Sequence, residues 1–295
     1  MPVRVYHHTF FAMNTRFSLV FPEISGNLGR ILSLEVRRYV DAQEEMTSRF
    51  RQGALARINA QAFDGAARVP NALWDVLMQC RRHWEQTYGL FDIALGAYRR
   101  RASDAPARSS RPTEHARPNR QYGLDKVVFD EREQSVRFTA PGLVLDLGGI
   151  GKGLALKGVK AILERNGVDQ AFVSFGESSI LALGEHPNGG PWHIGLADVP
   201  NTDLPLSNEA MSVSGQTPGR EHIVDPRTGA WANGPRMLAV VGECPVEAEV
   251  LSTALYIASP AERPRLLSRY GKVRVLDVRS DADFIPTPIY EGSAV

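Results

Sequence analysis

Cysteine is scarce in this chain of 295 residues: Cys80 and Cys244 are the two present, and they stand far apart. Such a pair supplies neither a disulfide framework nor the short spacing of a metal site, and reads as buried thiols in a reducing compartment. Long apolar runs are also missing. None reaches the roughly 20 residues that cross a bilayer, so no integral membrane segment is expected. The opening residues, Met1-Pro2-Val3-Arg4-Val5-Tyr6-His7-His8, hold no signal-peptide apolar core and no lipobox cysteine, which gives a cytoplasmic expectation. Neither sign of charge is in excess. With 34 Lys and Arg against 33 Asp and Glu, the net charge is +1, and the basic footprint of a nucleic-acid binder is absent. There is no internal repeat. What the chain does have is 43% hydrophobic residues, enough for a sizeable core.

Two nucleotide-binding signatures fail at the same place. In Asp146-Leu147-Gly148-Gly149-Ile150-Gly151-Lys152-Gly153, Asp146 occupies the position of the first Walker glycine, and Gly153 the position of its hydroxyl residue. Counted from Gly149 and Gly151, the third glycine of the dinucleotide fingerprint falls on Leu154. The stretch still has a shape. The apolar Leu143-Val144-Leu145 before it predicts a buried strand. After it, Ala155, Val159 and Ile162 form one helix face, with Lys157, Lys160 and Glu164 opposite and Gly167 as a stop. Glycines at a strand-to-helix turn let backbone N–H groups approach an anion at the positive end of the helix dipole, and Lys152 adds charge there. From these residues alone, two readings stay open: a phosphate cradle of another kind, or a turn that binds nothing.

The remaining pattern predicts an α+β fold, with mixed, largely antiparallel sheet and packed helices, as a single domain over 1–295. A strand pair is expected over 3–22, turning at Asn14. His7 and His8 would point to opposite faces of its first strand. Helices are expected over 28–45, 54–60, 70–88, 245–258 and 261–270. Short strands are expected at 122–129, 136–138, 143–145, 171–175, 180–183, 192–196, 211–213, 222–224, 237–241 and 273–278. Residues 99–120, rich in Arg, Pro and Ser, read as an exposed basic loop.

The helix over 245–258 carries a second candidate site. Glu249, Ser252, Thr253 and Tyr256 recur at i, i+3, i+4 and i+7 and share a stripe, read as exposed. One carboxylate beside two small hydroxyls is hard-cation chemistry of the Mg²⁺ type, with substrate phosphate completing the shell. A small solvent face is the other reading.

Several ordered motifs then make the chain resemble the FAD:protein FMN transferases, the ApbE-type flavin transferases. Met13-Asn14-Thr15 is similar to the family's Met-Gly-Thr, and Phe91-Asp92 to its Phe-Asp. Asp146–Gly153 is similar to Asp-Leu-Gly-Ala-Ile-Ala-Lys-Gly, and Gly176 stands at its Gly-Gly-Asp turn. Pro191-Trp192-His193-Ile194-Gly195 resembles Trp-x-Ile-Gly, and His222-Ile223-Val224-Asp225-Pro226-Arg227-Thr228-Gly229 resembles His-Ile-x-Asp-Pro-Arg-Thr-Gly. Glu249-Val250-Leu251-Ser252-Thr253-Ala254 resembles Asp-Ala-Leu-Ser-Thr-Ala.

The resemblance implies an ApbE-like fold and a Mg²⁺-dependent transfer of FMN from FAD to a Thr or Ser hydroxyl of an acceptor protein, with AMP released. It implies flavin-nucleotide contacts at Met13, Phe91, Asp92, Gly148, Gly149, Lys152, Gly176, Glu177 and Asp225. His222 and Lys152 would be catalytic. Mg²⁺ would be held by the Gly149 carbonyl, the Glu249 carboxylate, the Ser252 carbonyl and the Thr253 hydroxyl. The chain departs from the pattern at Asn14 (Gly in the family), Glu249 (Asp), Glu177-Ser178 (Gly-Asp) and Gln216 (commonly acidic), and the family's usual export signal is not expected from its opening residues. Two alternatives to transfer are an FAD-binding protein without transfer activity and a pyrophosphatase that gives FMN and AMP.

Overall fold

The computed structural model describes residues 4–98, 121–196, 202–216, 221–232 and 236–279. The predicted basic loop over 99–120 lies outside them.

The first hairpin joins β1 (Val5–Ala12) to β2 (Thr15–Pro22) through Met13 and Asn14, both in the left-handed region with φ of 47° and 60°. Asn tolerates that region better than most side chains, which is how the turn forms without glycine. In β2, Phe17, Leu19 and Phe21 are fully buried on one face, as the alternation predicts. α1 (Gly26–Thr47) starts at Ser25, whose hydroxyl accepts the Leu28 N–H. α2 (Ala54–Gln61), a short β3 (Ala67–Arg68) and α3 (Asn71–Gln86) follow. Then come β4 (Val127–Asp130), β5 (Ser135–Phe138), α4 (Gly151–Arg165), β6 (Ala171–Phe175) and β7 (Ser179–Leu183). β8 (Trp192–Ile194) and β9 (Leu204–Leu206) form a small ribbon before β10 (Glu209–Gly215) and β11 (Arg236–Gly242). α5 (Pro245–Ile257), a short α6 (Arg263–Leu267) and β12 (Val273–Arg279) complete the described elements.

Seven strands make the central sheet, in the order β1-β2-β6-β7-β10-β11-β12, with antiparallel pairing at each step. A second sheet has the order β3-β5-β4. The central sheet is covered on both faces in its middle, and β7 shows the consequence: all five of its residues are buried. Ile180 and Ala182 pack with Trp192 and Leu206 of the β8–β9 ribbon, while Leu181 and Leu183 pack toward α1 and α4. Fully burying a side chain such as Phe17 contributes roughly 1.5–3 kcal/mol. The fold is the expected α+β class.

Four expectations need correction. The strand expected at 122–129 is strand only from Val127, after a 3-10 turn over Leu124–Lys126. Residues 143–145 form no strand. Leu145 exchanges two hydrogen bonds with the Asn59 side chain (2.8 and 2.9 Å), and the Val144 carbonyl accepts the Gly96 N–H at 3.0 Å. Side-chain and loop partners satisfy this backbone where a ladder was expected. The strand expected at 222–224 reduces to one bridge, Val224 to Trp231. The helix expected over 261–270 is limited to α6, Arg263–Leu267; it starts late because Glu262 folds back on the Ser259 N–H and hydroxyl (both 2.8 Å) and Pro264 takes a first-turn position.

Candidate active site

The glycine turn is built by Asp146. Its backbone N–H donates to the Ile93 carbonyl at 2.7 Å, and its Oδ1 accepts the Gly148 N–H at 2.9 Å. The Gly151 N–H reaches back to the Leu147 carbonyl, and α4 starts at Gly151 with no side-chain cap. Gly153 is small for a packing reason. A Cβ there would lie 2.7 Å from the Pro245 carbonyl and 2.8 Å from Glu249 Cγ, so α4 and α5 touch at this residue.

That close crossing puts Lys152 beside Glu249. Lys152 Nζ donates to the Ser178 hydroxyl at 2.5 Å and lies 3.6 Å from Glu249 Oε1. Glu249 overturns the expectation of an exposed stripe, because it is 5% exposed, and Ser252 and Tyr256 are each 1% exposed. The reason is that α5 is apolar nearly all round and runs between α4 and the sheet, so its polar stripe faces β7 and β10. Glu249 Oε1 accepts from the hydroxyls of Ser179 and, at 3.2 Å, Ser212. Ser252 bonds Ser212 at 3.1 Å and Ser214 at 2.9 Å, and Ser214 lies 3.5 Å from the half-buried Thr253 hydroxyl. Sequence reasoning missed Ser179, Ser212 and Ser214. The signal was available for two of them: Ser212 and Ser214 stand two apart in a strand and so share a face, here the inner one.

Two turns border this cluster. Met13 packs toward the glycine turn, since a Cβ at Gly151 would sit 3.8 Å from its sulfur. Gly176 (φ 66°) opens the β6–β7 turn against Thr15; a Cβ there would lie 2.6 Å from Thr15 Oγ1. Glu177 follows at φ 61°, and its carboxylate pairs with Arg16 of the first hairpin. The anion introduced by this departure is therefore paired with a cation at the surface.

Other predicted residues have structural partners of their own. Phe91 is buried with its ring next to Gly149. The Asp92 carboxylate accepts from the Trp84 indole (3.1 Å) and from the Ala94 (2.7 Å) and Leu124 (3.0 Å) N–H groups. Asp225 is chelated by Arg227, whose pKa is raised chiefly by that hydrogen bond. His222, exposed, lies on a segment fixed by Gln216 at the end of β10. The Gln216 carbonyl oxygen accepts the His222 and Ile223 N–H groups at 2.8 and 3.0 Å, and its amide donates to the Ala232 carbonyl at 2.9 Å. Only an amide can do both, which accounts for Gln where an acidic residue is common. Met13, Gly148, Gly149, Lys152, Gly176, Glu177 and Glu249 thus belong to elements that meet. His222 and Asp225 belong to a segment joined to them through β10 and, by a 3.4 Å contact of Gln216 with the Tyr256 hydroxyl, through α5.

An antiparallel sheet carries the helices that bring the glycine turn and the Lys152–Glu249 pair together, in a protein of the α+β class. The chain belongs to the ApbE family, whose model matches residues 13–276. It is 26% identical over 276 residues to a protein of Rhodobacter capsulatus named FAD:protein FMN transferase, a match covering 84% of this chain and 52% of that one. It is 26% identical over 280 residues to a protein of the same name from Treponema pallidum, covering 84% of this chain and 76% of the relative. The chain therefore spans about half the length of the Rhodobacter relative. Among solved structures, the fold is similar to the apo flavinyl transferase ApbE of Pseudomonas stutzeri (TM-score 0.81, 22% identity, 99% of this chain and 98% of that one). It is also similar to the flavin transferase ApbE of Vibrio cholerae (TM-score 0.75, 21% identity, 95% of each chain).

Proposed function

We propose that this protein is a Mg²⁺-dependent FAD:protein FMN transferase that moves FMN from FAD to a Thr or Ser hydroxyl of an acceptor protein and releases AMP. The observation that carries the reading is the position of Lys152, which leaves the glycine turn and ends at the buried Glu249. The names of the relatives, drawn from proteins that share the family, support the same reaction.

In this reading the pyrophosphate of FAD lies against the glycine turn at Gly148–Lys152, where residues without Cβ leave room for phosphate oxygens and the α4 dipole favours them. Lys152 offsets phosphate charge. The acceptor hydroxyl attacks the phosphorus on the FMN side; the new P–O bond forms as the bond to the AMP oxygen breaks. His222 takes the hydroxyl proton, a task suited to imidazole near neutral pH. Catalysis is then mostly alignment and charge neutralisation.

The residues fit Mg²⁺ by their chemistry. The Glu249 carboxylate, Thr253 hydroxyl, Ser252 carbonyl and Gly149 carbonyl are all hard oxygen donors, and hydrogen bonds from Ser179 and Ser212 hold the carboxylate. Bound there, the ion would neutralise charge on the pyrophosphate oxygens.

The test is intact-mass analysis of a Thr-containing acceptor incubated with the protein, FAD and Mg²⁺. An acceptor heavier by one FMN, with AMP released, is the expected result. Free FMN plus AMP would instead mark a pyrophosphatase, and uncleaved FAD a binding protein.

A further inference from the structure

Arg49, between α1 and α2, belongs to none of the residue sets above. Its Nε lies 3.3 Å from Asp146 Oδ2, and each side chain of the pair is 12% exposed. Nη1 donates to the Gly96 carbonyl at 3.1 Å, and the Phe50 ring lies 4.3 Å from the guanidinium carbon. Asp146 in turn holds the Gly148 N–H with its other oxygen. The guanidinium thus links the α1–α2 connection, the segment around Gly96 and the start of the glycine turn, and it reaches the turn through Asp146. Within 146–153, Asp146 is the sole acidic residue.

We propose that Arg49 is a positioning residue for phosphate at the glycine turn. It fixes Asp146, and with it the Gly148 N–H, and it cancels the carboxylate charge that would repel an anion at that turn. A carboxylate is a good fold-builder here because it accepts the Gly148 N–H, but it is compatible with a phosphate site only when paired. This inference rests on the reading that the turn receives the FAD pyrophosphate.

Fluorescence titration with FAD and with riboflavin, which lacks phosphate, separates this role from plain structural support. The wild type is expected to bind FAD more tightly than riboflavin. Arg49→Gln should weaken FAD by about tenfold or more, the scale of one charge interaction, and leave riboflavin within about twofold. Adding Asp146→Asn should restore most of the FAD affinity, because the charge is gone while the Asn oxygen still accepts the Gly148 N–H. Equal losses for FAD and riboflavin, or no rescue, would overturn the proposal. A wild type with no preference for FAD would overturn the pyrophosphate reading itself. Should Arg49→Gln fail to fold, Asp146→Asn alone decides: with the Asp146 charge removed, FAD must bind at least as tightly as to the wild type, and weaker binding refutes the idea.

Discussion

Lys152 and Glu249 come from different helices and meet 3.6 Å apart, the lysine partly open to solvent and the carboxylate buried. The crossing at Gly153 makes the meeting possible, and the hydroxyls of Ser178, Ser179 and Ser212 complete it. A buried carboxylate is costly unless it is paired and hydrogen-bonded, and Glu249 is both. The pair sits where a glycine turn, a helix start and two hairpin turns converge, so it is the natural centre for the predictions on chemistry.

His222 is exposed and its backbone N–H donates to Gln216, and truncating an exposed side chain ordinarily costs little stability. His222→Ala is expected to lower turnover by about two orders of magnitude or more, the ordinary contribution of a general base, with FAD affinity little changed. Steady-state kinetics beside a thermal melt checks this. An unchanged rate with a lowered Tm would assign His222 a purely structural part.

Gln216→Glu tests how that segment is tied down. The carboxylate could still accept the His222 and Ile223 N–H groups, but it cannot donate to the Ala232 carbonyl and would face it as an anion. A loss of about 1–3 kcal/mol in local stability is expected from the unmatched carbonyl. Hydrogen exchange should show faster amide exchange at 222–232 than elsewhere, with turnover falling more than FAD affinity.

The pattern of elements was readable because it follows simple periods. The alternation of Phe17, Leu19 and Phe21, the α3 face of Leu73, Val76, Leu77 and Cys80, and the stripe of Ala155, Val159 and Ile162 all face the core as expected. What was hidden depends on distant partners. The backbone of Leu145 is satisfied by Asn59, and nothing local in Leu-Val-Leu distinguishes a side-chain clamp from a neighbouring strand. The stripe of Glu249 looked solvent-facing because a carboxylate and two hydroxyls are polar. Its burial follows from β10, which supplies Ser212 and Ser214 as matching partners. Arg49 carries no local signal, because its importance comes wholly from Asp146 far along the chain.

Acid should weaken the fold through His83. Its Nδ1 lies 3.1 Å from the Tyr270 hydroxyl, and burial, with the Arg82 charge next, lowers its pKa to about 4 from 6.5. Above the unfolded value, both states hold a neutral imidazole and His83 adds no pH dependence. Between that value and the folded pKa, the unfolded chain takes up a proton that the fold refuses, so stability falls as the pH drops through this window. The loss is about 3 kcal/mol at most. Denaturant unfolding at pH 7 and pH 5 checks the sign, and His83→Gln should flatten that part of the pH dependence.

Glu249→Ala and Glu249→Asp separate the two jobs of this carboxylate. The Ala change leaves Lys152 without its carboxylate partner and opens space between α4, α5 and the sheet. A stability loss of about 1–3 kcal/mol is expected, moderated because Lys152 can turn toward water. Mg²⁺-dependent FAD cleavage should also disappear. The Asp change keeps the charge but withdraws it by one methylene from Ser179 and Ser212, whose hydroxyls meet Oε1 at the length of Glu. Shortening would restore the family's residue, yet it would break the two bonds that orient the carboxylate in this chain, and Mg²⁺ tolerates poor geometry badly. Glu249→Asp is therefore expected to bind Mg²⁺ less tightly and to cleave FAD more slowly than the wild type, with a smaller loss of Tm than Glu249→Ala. Calorimetric Mg²⁺ titration and single-turnover FAD cleavage measure both effects. Tighter Mg²⁺ binding by the Asp variant would mean that the serines do not set the ligand geometry. Wild-type Mg²⁺ affinity in both variants would remove Glu249 from the metal site and favour a flavin-binding protein that does not use this ion.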